Sequence, residues 1–347
     1  MRLGICTPYR HCESTQVALR IVQWAEECNI DVTIRSATTH PAVLGSPLDA
    51  EARKSRDVKF TDWAKGCTTI IWTGPPIAAQ LKWAKKHCIY TVVFYLWASV
   101  DTANTSAMRN ADAILTPTAL LAHGMQRFCR SQKILGLPYD TGLPFIAKDP
   151  RMYSSSARWI FLPLYDEEPY KTESTVIEVL GRMLYRFDNT VLTVAYNAST
   201  IASHVKRRLK RFRKYFGRER VRQCRSPVFA RRAELFQYHD LTVWPVHWED
   251  TGIVGLTSMT MGTPVLSFYY PPLSEILRPT NSVSAQVNCY ADASGLPHIE
   301  PNYQGMERVL TATLENEDTL PKLHKTVLHG LTERRKLFKN TLKRVMY

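Results

Sequence analysis

The chain has 347 residues, 45% hydrophobic and 22% charged, which excludes a disordered polyelectrolyte and suggests two domains of roughly 150 residues each. No run approaches the ~20 apolar residues of a membrane span, and no apolar h-region opens the chain, so no secretory signal is expected. Eight cysteines without a Cys-x-x-Cys pair imply reduced thiols and a cytoplasmic setting rather than a zinc site.

In chain order, residues 2–8 read as a first strand. A helix follows from Glu13 toward Asn29, with apolar positions at Val17, Ile21, Val22, Trp24 and Ala25. Ile30–Ile34 and Thr68–Thr73 read as strands, Ile77–His87 as a helix, Tyr90–Trp97 as a strand, and Ile114-Leu115-Thr116 as a short strand after a helix end. Pro144, Asp149, Pro150 and Ser154-Ser155-Ser156 mark a linker. The alternation then resumes. Trp159–Leu162 is a strand, Ser174–Phe187 a helix, Val191–Tyr196 a strand, and a basic helix follows. Val221–Cys224 and Leu241–Pro245 are strands on either side of a helix over Phe229–Tyr238. Strand and helix alternating throughout predict α/β architecture: two doubly wound parallel sheets, with ligands at the carboxyl ends of the strands. The expected divisions are 1–150, 151–330, and a basic C-terminal helix over 331–347 that crosses back to the first domain.

Formal net charge is +14, and residues 206–232 hold 13 Lys or Arg against one acid, Glu219. Val205, Leu209, Phe212 and Phe216 fall at helical spacing and predict a buried stripe. Lys206, Arg207, Arg208, Lys210, Arg211, Arg213 and Lys214 then cover the other face. Charge runs are commonly solvated faces, but acids are usually mixed in, and none occurs between Lys206 and Arg218. The stripe therefore predicts a polyanionic partner, nucleic acid or a peripheral anionic membrane surface.

The most informative stretch is residues 249–265. Glu249 and Gly252 stand at the mouth of an amphipathic segment that Gly262-Thr263-Pro264 stops, before the apolar run from Val265. This reads as loop, short helix, tight turn and buried strand. A helix N-terminus beside a glycine lets an anion approach bare amides, here those of Thr251, Gly252, Ile253 and Val254. Glu249 sits just outside, placed to bind hydroxyls.

Glu249, Gly252 and Gly262-Thr263-Pro264-Val265, preceded by Asp240–Pro245, resemble the donor-site signature of the retaining GT-B glycosyltransferases. Ala111–Thr118 is similar to an Ala-Asp strand of their first domain. The resemblance covers the order of elements, but only 240–268 is a specific match. It implies two Rossmann-like domains facing across a cleft, a nucleotide-sugar donor (UDP-glucose by default) and sugar transfer with retention. No metal or cofactor is expected, since no Asp-x-Asp motif is present to hold a divalent ion. Glu249 is then expected to hold donor-sugar hydroxyls. Lys171 would neutralise the leaving diphosphate, with Arg208 or Arg231 in place of a missing arginine. Arg10 and His11 would stand at the cleft edge to meet the donor phosphate or the acceptor, and Asp101 would be an acceptor-side base unless it only caps a helix. Three departures stand out: Thr257 replaces the carboxylate that meets the donor ribose, Pro8–Glu13 lacks a Gly-Gly pair, and Trp97-Ala98-Ser99 replaces a His-containing turn. The charge stripe resembles that of bacteriophage enzymes that glycosylate hydroxymethylated bases in DNA. The rival readings are transfer to a lipid or polysaccharide at a membrane surface, and a catalytically degenerate nucleic-acid-binding protein.

Overall fold

A computed structural model describes residues 1–9, 12–37, 48–55, 57–96, 106–129, 132–146, 157–164, 173–196, 201–225, 233–246, 251–271, 273–277, 282–285, 287–291 and 297–346. The chain divides into two compact units, Met1–Gly142 with Glu333–Tyr347, and Leu143–Thr332.

In the first unit, β1 (Arg2–Thr7), β2 (Asp31–Ser36), β3 (Thr69–Trp72), β4 (Tyr90–Phe94), β5 (Ala113–Thr116) and β6 (Lys133–Gly136) form one parallel sheet, ordered β2-β1-β3-β4-β5-β6. Leu3, Ile5, Ile70, Ile71, Val92, Val93 and Ile114 are fully buried, as continuous apolar runs must be when helices cover both faces. The helices are α1 (Glu13–Glu27), α2 (Asp49–Ser55), α3 (Phe60–Trp63), α4 (Ala78–Lys86) and α5 (Ala119–Phe128). Helix α1 stops two residues before the predicted Asn29. Cys28 caps it, and Asn29 turns the chain into β2 with φ +54°. The short helices α2 and α3 have no counterpart in the sequence pattern.

In the second unit, β7 (Arg158–Leu164), β8 (Thr190–Tyr196), β9 (Val221–Arg225), β10 (Leu241–Val243), β11 (Val265–Phe268) and β12 (Ser282–Ala285) form a second parallel sheet, ordered β12-β11-β10-β7-β8-β9. Its helices are α6 (Glu173–Arg186), α7 (Ser203–Phe216), α8 (Ala233–Gln237), α9 (Ile253–Thr260) and α10 (Tyr303–Glu315). A hairpin of Asn288–Ala291 against Pro297–Glu300 adds a small antiparallel pair.

The last helix, α11 (Thr319–Met346), runs from the second unit into the first. Within the first unit it is tied down by polar groups. Asp140, 6% exposed, receives Arg20 at 2.7 Å and Arg335 at 3.1 Å. Arg334 donates to the Tyr139 carbonyl, Thr341 to the Gly136 carbonyl, and Lys339 pairs with Glu27 at 2.9 Å. The Lys339 hydrogen bond, more than any other contact, holds the Glu27 carboxyl below the usual range. That contribution is therefore complete above the pKa of an unfolded glutamate and is lost as pH falls through the lower folded value. No helix among the described residues is long and apolar enough to cross a membrane.

The Asp140 cluster makes an unequal prediction. Arg20→Met leaves a buried carboxylate with one cation and should cost about 3–5 kcal/mol. Arg335→Met keeps the better-buried pair and should cost about 1–2 kcal/mol. Urea denaturation followed by tryptophan fluorescence compares them; equal losses would show that the two arginines share the carboxylate evenly.

Candidate functional site

Read outward from β9, the second sheet runs β9-β8-β7-β10-β11-β12. The chain builds three strands in one direction, returns, and builds three in the other. The reversal lies between β7 and β10, and ligands of such sheets bind outside the carboxyl ends of the strands at that point. The segments leaving these ends carry Lys171 after β7 and Glu249 after β10. Both residues lie outside the described residues, as do Arg10, His11, Asp101 and Arg231.

What is described is the frame that holds the second of these segments. β10 hydrogen-bonds both neighbours, and its exit is fixed by side chains. Ser267 donates to the Trp244 carbonyl at 2.7 Å and Tyr270 to the Val246 carbonyl at 3.0 Å. The chain re-emerges at Thr251, fully buried, and Gly252, which caps α9 with φ +69° and ψ +24°. This left-handed conformation suits glycine. A Cβ there would also stand 2.7 Å from two carbons of Ile276. With glycine as the cap, the cap residue offers no side chain to the first-turn amides; Leu256 donates to the Gly252 carbonyl. The amides of Ile253 and Val254 thus belong to the helix's positive end.

Helix α9 is not amphipathic as its sequence suggested. All eight residues are buried. Gly255 lets it press against Trp244, with 3.0 Å from a would-be Cβ to the indole. A helix buried on every side needs its polar groups satisfied internally. Thr257 and Thr260 each donate to the carbonyl four residues back, Ile253 and Leu256, at 2.7 Å. The Thr257 hydroxyl is therefore engaged within the helix. The Ser258 hydroxyl lies 2.7 Å from that of Thr242 on β10 and 2.9 Å from the Thr263 carbonyl.

The Gly-Thr-Pro stop is structural in detail. The Gly262 amide bonds the Met259 carbonyl and the Thr263 amide the Ser258 carbonyl, with Gly262 at φ +77°. This pair of bonds is the Schellman helix stop. The Thr263 hydroxyl then reaches the Phe236 and His239 carbonyls at 2.6 and 3.0 Å. His324 of α11 bonds the Gly262 carbonyl.

In the first unit the corresponding reversal lies between β1 and β3. Tyr9, leaving β1, adopts φ +47° although it is not glycine. Its hydroxyl donates to buried Asp49 of α2 at 2.8 Å, an anchor that holds a strained backbone in place.

Helix α7 corrects part of the sequence reading. Val205 and Leu209 are buried, but Phe212 and Phe216 are only half-buried. Arg208 pairs with Glu178 of α6 at 2.5 Å, and Arg213 is half-buried with an inaccessible Nε. Farther on, Arg220 clamps the end of α6 through the Leu184 and Phe187 carbonyls, and Arg222 lies 4.3 Å above the Trp159 ring. Lys206, Arg207, Lys210, Arg211 and Lys214 are exposed. Sequence spacing alone could not separate the arginines that hold α7 in place from those that face solvent.

No family model matches the chain, and no curated protein sequence does. Solved structures do match. Sucrose-phosphate synthase from Thermosynechococcus elongatus is similar with a TM-score of 0.69 at 12% identity, covering 99% of this chain and 96% of that one. The E. coli trehalose-6-phosphate structure bound with UDP-2-fluoro glucose gives 0.66 at 9% identity, with 99% of each chain covered. WaaG, a glycosyltransferase involved in lipopolysaccharide biosynthesis, gives 0.62 at 14%, with 99% and 98% covered. The chain thus has the GT-B architecture of two Rossmann-like domains, a fold it shares with nucleotide-sugar-dependent glycosyltransferases.

Gly252→Ala should be destabilising by roughly 1–3 kcal/mol, through the left-handed backbone and the clash with Ile276. Adding Ile276→Ala relieves only the clash. Thermal denaturation of the single and double variants tests this, and an unshifted midpoint for Gly252→Ala would show that the position relaxes freely.

Proposed function

We propose that the chain is a retaining, metal-independent glycosyltransferase that moves a hexose from a nucleotide sugar to a hydroxyl acceptor. UDP-glucose is the default donor, and the nucleotide sugar is a co-substrate rather than a cofactor. The observation that carries this reading is Gly252: a left-handed cap with no side chain of its own at the first turn of a buried helix, directly after the Glu249 segment at the reversal of a Rossmann-ordered sheet. The trehalose-6-phosphate structure of the same fold is bound with a UDP sugar.

In this mechanism Glu249 holds donor-sugar hydroxyls, and the amides of Thr251, Gly252, Ile253 and Val254 face the sugar or its diphosphate. Lys171 and the helix N-terminus stabilise the negative charge that grows as the C1–O bond to the diphosphate breaks. The acceptor oxygen bonds C1 from the same face through an oxocarbenium-like transition state. Its proton passes to a base, for which Asp101 is the candidate. Arg10 and His11, at the cleft edge, meet the donor phosphate or the acceptor. We assign the acceptor as a hydroxymethylated base in DNA, because the exposed cations of α7 favour a polyanion and a base hydroxyl is reached by unstacking the nucleotide.

The Thr257 hydroxyl, tied to the Ile253 carbonyl, favours a second reading, that of a fold that binds nucleic acid without turning over donor. Radiolabelled sugar transfer from a donor panel to hydroxymethylated DNA, with a membrane lipid extract in parallel, separates these. Glu249→Gln should lower transfer by roughly 100-fold or more while leaving the melting temperature unchanged. Label entering only the lipid would move the acceptor to the membrane surface. Failure to bind or hydrolyse any nucleotide sugar would leave the binding protein.

A further inference from the structure

Folding leaves a particular set of groups unused along α6 and α7. Arg207, Lys210, Arg211 and Lys214 are exposed and make no ion pair or hydrogen bond with a described residue. The acids nearby are already matched: Glu178 by Arg208, and Glu307 by a bidentate pair with Arg182. Beside these cations the two helices enclose an open recess of about 790 Å³. Its exposed lining is mostly apolar, with Tyr185 of α6 and Phe212, Tyr215 and Phe216 of α7 supplying ring surface; Arg182, Arg211, Lys214 and the Arg208-paired Glu178 also line it. Gly181 of α6 makes the recess possible. A Cβ there would sit 2.4 Å from the Phe212 ring, so a side chain would push that ring outward. Tyr185 and Tyr215 are 73% and 71% exposed, a large aromatic area left in water beside unneutralised charge.

We propose that this recess docks single-stranded nucleic acid, with bases stacked on Tyr185, Tyr215 and Phe212 and phosphates against Arg211, Lys214 and Arg207. Aromatic platforms flanked by cations are what an unpaired strand requires, since every base offers a π-face whatever its sequence. A mostly apolar lining favours base faces over base edges. A duplex keeps its base faces stacked inside and would use only the cations. An anionic bilayer is disfavoured because the large exposed apolar residues described on these two helices are tyrosines, with no exposed Leu, Ile, Phe or Trp there to insert. The inference deepens the DNA-acceptor reading by naming an unpaired strand as what is held, but it concerns binding alone and needs no donor.

The test is a titration of the full chain with a labelled oligothymidylate of about 16 nucleotides, the matching duplex, and phosphatidylserine-containing vesicles. Tyr185→Ala and Tyr215→Ala, both at exposed positions, should each weaken single-strand binding by about 5- to 100-fold with duplex binding unchanged. Arg211→Gln and Lys214→Gln should each lower the salt slope by about one for both nucleic acids. Thermal midpoints equal to that of the parent chain exclude misfolding. Single-strand binding that ignores both tyrosines overturns the proposal, as does preferential vesicle binding that depends on them. Strand binding without sugar transfer would refute the enzymatic reading and leave this one standing.

Discussion

A buried cluster of hydroxyls, Thr242, Ser258 and Thr263, fixes the geometry on which the second unit's candidate site depends. β10 is only three residues long, so its own ladder bonds are few. The cluster supplies what the ladder lacks. Ser258 bridges strand and helix, and Thr263 ties the turn to the carbonyls that close α8. Each is a polar group in an apolar interior, where an unmatched partner costs far more than a matched one returns. Helix α9 is consequently locked in both rotation and height. Its first-turn amides point from a position set by side chains at the opposite end of the helix.

The sequence made the layer architecture legible because buried parallel strands are short continuous apolar runs separated by helical spacing. The stop at Gly262 was equally clear, since a left-handed glycine after a helix has a local cause. Other features had no local signal. Helix α9 reads as amphipathic because Thr257, Ser258 and Thr260 look like a solvent face, yet these hydroxyls are satisfied by backbone and by Thr242. The left-handed backbone after β1 falls on Tyr9, which no local pattern marks, and it is accompanied by a tertiary hydrogen bond to Asp49, 40 residues away. Helices α2 and α3 are too short for a period to emerge.

The charge pattern was legible in amount but not in use. The stretch after Lys206 contains arginines of two kinds. Arg208, Arg220 and Arg222 act as packing and capping groups, with guanidinium planes set on carboxylate, carbonyl or indole. Arg207 and Arg211 meet only solvent among the described residues. What distinguishes the two kinds is the tertiary neighbour, Glu178 and the end of α6 for Arg208 and Arg220 and Trp159 of β7 for Arg222, and none of these is visible in the charge run itself.

Helix α11 makes the first unit discontinuous in sequence. Asp140 takes Arg20 from 120 residues before it and Arg335 from 195 residues after it, with the whole second unit between them. A chain cut before Glu333 would keep the first pair and lose the second, so the polar core of the first unit depends on residues that follow the second one.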